Sequence, residues 1–73
     1  MNEYYEVQLR HVWDDEEGWC EVGVYDTLAE AWFSYKDCIA HDVGQDYDEV
    51  RIVYYNVDLP SNHIIVAAFK RKK

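Results

Sequence analysis

Thr27-Leu28-Ala29-Glu30-Ala31-Trp32-Phe33-Ser34-Tyr35-Lys36-Asp37-Cys38-Ile39-Ala40-His41-Asp42-Val43-Gly44 decides how this chain folds, because it alone reads clearly as an amphipathic helix. The Thr27 hydroxyl is placed to accept from an amide of the first turn while Glu30 reaches back to the cap amide. Leu28, Ala31, Trp32, Tyr35, Ile39 and Val43 recur at spacings of three and four, with Glu30, Lys36 and Asp37 mostly off that stripe. Gly44 stands where a left-handed C-terminal cap belongs. The spacing predicts a helix over about 27–43, buried through Leu28, Trp32, Tyr35 and Ile39. On that reading Trp32→Ala costs about 3 to 5 kcal/mol.

Strand patterns lie on both sides of the helix. Tyr4 to Trp13 alternates, with Tyr5, Val7, Leu9, His11 and Trp13 on the expected core side. The acidic loop Asp14-Asp15-Glu16-Glu17-Gly18 turns the chain back into a second strand, Trp19 to Tyr25, where Gly23 marks a bulge or a packing accommodation under a large aromatic. Beyond a polar connection over 45–49, Val50 to Val57 reads as the third strand. Asp58-Leu59-Pro60-Ser61-Asn62 is turn chemistry, and His63 to Phe69 is the fourth strand. Ile64 to Phe69 is apolar on both sides, so this strand is expected to be covered on both faces or to sit centrally.

The fold class is therefore α+β: a ββαββ two-layer sandwich, one four-stranded mainly antiparallel sheet with the helix on one face. Strand orders 2-1-3-4 and 1-2-4-3 both satisfy the pattern. Residues 1–69 make a single domain and 70–73 a basic C-terminal tail. No stretch is apolar enough for a membrane span and the N-terminus has no signal-peptide character, so the expected location is cytoplasmic, with no membrane partner.

Charge is the most informative bulk property. The 73 residues carry −8, yet four of the seven cations are Lys70-Arg71-Lys72-Lys73. Without that run, fifteen acids face Arg10, Lys36 and Arg51, a balance of −12 over residues 1–69. A body so acidic repels nucleic acid and attracts basic protein surfaces. Chain direction adds an expectation that composition does not supply. A helix of 16 residues climbs about 24 Å, so Asp14, Asp15, Glu16 and Glu17 share one pole with Asp42, Asp46, Asp48 and Glu49. The basic tail leaves from the same pole.

The sheet face opposite the helix should carry Tyr4, Val12, Trp19, Tyr25, Val53, Tyr55, Val57, Ile65 and Ala67, apolar enough to favour a homodimer through Tyr4, Trp19, Tyr25, Val53 and Tyr55. Such a face can also stack single-stranded nucleic acid, but the net charge argues against that. His11, His41 and His63 match no catalytic or metal spacing, Cys20 and Cys38 form no CxxC pair, and no phosphate loop, GxSxG or HExxH occurs. The expectation is a non-enzyme with no cofactor and no metal site.

The functional expectation is a small acidic module that binds a partner protein's basic surface, in the character of phage or mobile-element inhibitors such as anti-CRISPR proteins and DNA mimics. The alternative is a structural homodimer or adaptor using the aromatic sheet face. No motif identifies a family.

Overall fold

A computed structural model describes residues 3–11, 18–41, 43, 47–58 and 63–71. The chain forms β1 (Glu3–His11), β2 (Trp19–Tyr25), α1 (Leu28–His41), β3 (Tyr47–Asn56) and β4 (Ile64–Lys70). The four strands make one antiparallel sheet in the order β2-β1-β3-β4, with α1 against one face. The two central strands thus come from opposite sides of the helix in sequence.

Strand register sorts the side chains into rows across the sheet. Toward the helix lie Cys20–Leu9–Val50–Phe69, then Gly23–Val7–Ile52–Ala67, then Tyr25–Tyr5–Tyr54–Ile64. Val7, Leu9, Val50 and Ile52 at the centre of these rows are buried with Ala31, Tyr35 and Cys38 of the helix. Tyr5, Tyr25, Ile39, Val43, Tyr47 and Ala67 pack around them.

Tyr25 was expected on the opposite face. A register shift between Val7 and Gln8 pairs Val7 with Gly23 and Gln8 with Glu21, so Val22 is the extra residue of a bulge. One extra residue inverts the parity of the rest of the strand. Tyr25 therefore turns to the core, and its ring lies across Gly23, where an added Cβ would sit 2.6 Å from the phenol oxygen.

The helix begins as the sequence indicates, with a variation. The Glu30 amide donates to Thr27 Oγ1 at 3.3 Å, and the Thr27 hydroxyl donates to Glu30 Oε1 at 3.0 Å, so the Glu30 carboxylate engages the cap hydroxyl. At the other end the Val43 amide donates to the Cys38 carbonyl at 3.0 Å, a six-to-one bond of Schellman type. Helix α1 ends at His41, and the expected Gly44 cap lies outside the described residues.

Helix orientation departs from the expected stripe. Ala31, Tyr35 and Cys38 face the sheet, whereas Trp32 is 44% exposed and Leu28 39%. The inward line at spacings of four and three is built from small residues around one large one. Ala31 and Cys38 let the helix approach closely, and Tyr35 fills the space between; Trp32 lies at the margin, its ring 5.2 Å from that of Tyr35. Burial pushes the Tyr35 phenol above its ordinary pKa.

Strand β4 was expected to be central or covered on both faces, and it is neither. It is an edge strand in which Ile64, Ile65, Val66 and Phe69 are all exposed. The physical reason is width. Four strands span about 14 Å between the outer axes, whereas one helix is only about 10 Å across. Helix α1 packs on β3, β1 and β2 and leaves β4 uncovered. The third strand also starts earlier than its apolar pattern, at Tyr47, and β4 runs through Lys70, the first residue assigned to the tail. Cross-strand pairing of Glu49 with both Arg10 and Lys70 brings these polar residues into the sheet. Among the described residues no helix is long and apolar enough to cross a membrane.

This packing exchanges the roles of two aromatic residues. Tyr35→Ala is expected to cost about 3 kcal/mol or more, and Trp32→Ala less than half of that, in urea unfolding. Equal losses would contradict the observed orientation of the helix.

Candidate functional site

Three surfaces hold residues that can engage another molecule. The first is the end of the sheet where the acidic segments attach. Register brings Arg10 and His11 beside Trp19, Tyr47 and Glu49, and Glu49 beside Lys70. The strand ends that flank the first acidic loop, the connection after α1 and the basic tail thus lie together. Asp14, Asp15, Glu16, Glu17, Asp42 and Asp46 fall outside the described residues. Asp48 and Glu49, predicted to belong to the same exposed pole, are drawn into the sheet instead. Asp48 is 4% exposed, and Glu49 forms an ion pair with Arg10. The Arg71 amide donates to the Asp48 carbonyl at 2.8 Å, so backbone pairing continues into the tail.

The second surface is the open sheet face. Its rows are Trp19–Arg10–Glu49–Lys70, Glu21–Gln8–Arg51–Ala68 and Val24–Glu6–Val53–Ile65, with Tyr4–Tyr55 at the far end. Charged and amide groups alternate with aromatic ones, so the face is less apolar than expected. The polar groups at its centre pair with one another. Arg51 Nε donates to Gln8 Oε1 at 2.7 Å, and Gln8 Nε2 donates to Glu6 Oε1 at 2.9 Å. The Arg51 guanidinium lies 3.9 Å from the Trp19 ring centroid, a cation–π contact that also covers its alkyl stem. Burial pulls the Arg51 pKa below its ordinary value, while Tyr55, Glu49 and Glu6 pull it back up.

Aromatic residues at the far end of this face form a stack. The Tyr4 and Tyr55 rings are 5.1 Å apart and nearly parallel, and His63 stacks on Tyr55 at 5.9 Å. Tyr4, Tyr55, Asn56 and Val57 line a depression of about 340 Å³. Val53, predicted as part of an exposed contact surface, is 0% exposed, enclosed by its neighbours on this face. Of the five residues predicted for the sheet-face contact, Tyr4, Tyr55 and Trp19 share the open face, Val53 is beneath its surface and Tyr25 is on the other side.

The third surface is the outer side of α1, which sequence reasoning did not single out. Ala29, Trp32, Phe33, Lys36 and Asp37 line a shallow groove of about 320 Å³. Phe33 is 79% exposed, the most exposed of the large apolar side chains described. The available signal was its position: an aromatic directly after Trp32 and outside the i, i+3, i+4 stripe has no place in the core. His41 and Asp37 pair at 3.4 Å on the exposed helix surface toward the C-terminus.

No group of three or more His, Cys, Asp or Glu side chains among the described residues is placed to hold a metal. His11 packs on Tyr47 with ring centroids 4.3 Å apart, His41 pairs with Asp37, and His63 stacks on Tyr55. Each histidine thus has its own neighbour. Cys38 is buried in the core and Cys20 is exposed, and the two are not joined in a disulfide. Compared with protein families, with curated proteins and with solved structures, the chain matches none.

The Arg51 network gives a direct test of how far the open face is a finished surface. Arg51→Ala leaves the buried Gln8 amide without its donor and is expected to cost about 1 to 3 kcal/mol. An unchanged urea midpoint would show that water replaces Arg51 without loss.

Proposed function

We propose that this chain is a non-catalytic protein-binding module that docks through the outer face of α1 on a partner with an apolar cleft rimmed by cations. The observation that carries this reading is Phe33, 79% exposed on the helix and bordering a groove with Trp32. Keeping an aromatic ring in water forgoes roughly 1.5 to 3 kcal/mol of burial. Aromatic side chains surrounded by polar groups are also the usual anchors of protein interfaces.

Charge supplies the second half of the reading. Glu30 and Asp37 are exposed on the same helix, in a chain of net charge −8. Such a field accelerates encounter with a basic surface, while desolvation of the aromatic rings determines how long the complex lasts. The acidic character read from the sequence then acts in steering, and the helix supplies the contact. A partner that otherwise holds phosphates fits this charge pattern, which is the sense in which an inhibitor resembling nucleic acid remains part of the proposal.

The homodimer through the open sheet face is less well supported, because the polar groups there pair with one another and Val53 is already covered. Affinity capture from the cells that make the protein, with wild type and Phe33→Ser compared side by side, tests the helix reading. Phe33→Ser is expected to keep the fold and weaken binding of the captured partner at least about tenfold. Raised salt should slow association. Full binding by Phe33→Ser would overturn the proposal.

A further inference from the structure

Strand β4 is a second unsatisfied surface, separate from the helix groove. Among the described residues it has no neighbour in the sheet beyond β3, so one side of its backbone offers amides and carbonyls to another strand. Ile64, Ile65, Val66 and Phe69 are exposed beside this edge.

We propose that β4 is a self-association edge, pairing antiparallel with β4 of a second copy to make one continuous eight-stranded sheet.

Several features favour a second copy over an unrelated strand. The first concerns charge. Each of the other strands carries acid, with Glu3 and Glu6 in β1, Glu21 in β2 and Asp48 and Glu49 in β3, whereas Ile64–Lys70 has none. In a molecule of net charge −8 this is the edge along which two copies meet with least repulsion. The charges at its two ends are also complementary under a two-fold axis. Lys70 and Arg71 close the strand, and Asp58 lies in the turn that precedes it. An antiparallel two-fold near Ala67 brings the cationic end of each copy toward the Asp58 turn of the other. It also brings Ile64 of one copy toward Phe69 of its mate on the helix side of the joined sheet.

The opposite edge of the sheet looks different. Strand β2 is bulged at Val22, carries Glu21 within it and packs partly under α1. These are features that discourage edge pairing. Strand β4 has a bulge of its own, at Val66 between the pairs Ile52–Ala67 and Val53–Ile65, but no charge or proline before Lys70. The bulge increases local twist and leaves the edge apolar.

Sedimentation of the full chain from micromolar to near-millimolar concentration tests the proposal. Wild type is expected to reach twice the chain mass of 8.7 kDa. Ile64→Lys, an exposed position, should halve that mass, and Phe33→Ser should leave it unchanged. Because Ile64→Lys alters an edge residue and can disturb the fold, amide exchange of wild type provides an independent readout. Outward amides of β4 should become protected as concentration rises. A wild-type monomer throughout, or a dimer lost in Phe33→Ser and kept in a folded Ile64→Lys, would overturn the proposal, as would β4 exchange that does not change with concentration.

Discussion

A single helix cannot cover a four-stranded sheet, and most of what distinguishes this molecule follows from where its one helix lies. At about 10 Å across, α1 is accommodated over β2, β1 and β3, and the hydrophobic core forms beneath it around Val7, Val50 and Ile52. Strand β4 completes the sheet by hydrogen bonding to β3 and remains outside the core apart from Ala67. The same placement leaves Phe33 and Trp32 at the helix surface. The small size of the chain makes this distribution consequential, since 73 residues supply only a modest core from which to draw stability.

The open face shows a different solution to the missing second helix. Without a layer above it, the sheet covers itself with long side chains from neighbouring strands. Arg51 spans from Gln8 to the Trp19 ring, Arg10 pairs with Glu49, and Tyr4 leans on Tyr55. Guanidinium groups suit this position because they donate in the plane and stack through their faces. The arrangement allows Val53 to be fully buried on a face that no described helix or strand covers.

Element order and strand direction were legible in the sequence because they depend on local patterning: alternation in β1, a capping pair at Thr27 and Glu30, and turn residues after Asn56. Burial was harder to read where it depends on partners distant in the chain. Ala31 and Trp32 are consecutive in the chain and about 100° apart around the helix axis, and composition favours the larger residue for the core; the close approach of helix to sheet favours the smaller. Alternation alone puts Tyr25 on the open face, and the bulge at Val22, which Gly23 hints at, inverts that parity. Strand β4 reads as a central strand from its composition, and only the width of the helix shows why it is an edge. The acidic segment Asp14–Glu17 and its companions Asp42 and Asp46 fall outside the described residues, while Asp48 is a buried strand residue and Glu49 a strand residue paired with Arg10.

The exposed surfaces all depend on the helix covering three strands and leaving the fourth bare. Relaxation of side-chain protons by a soluble paramagnetic agent, recorded on dilute protein, reads that coverage directly. Fast relaxation at Ile64, Ile65, Val66 and Phe33, with slow relaxation at Val7, Val50 and Ile52, is the predicted result. Shielding of Ile64 and Val66 equal to that of Ile52 would contradict it.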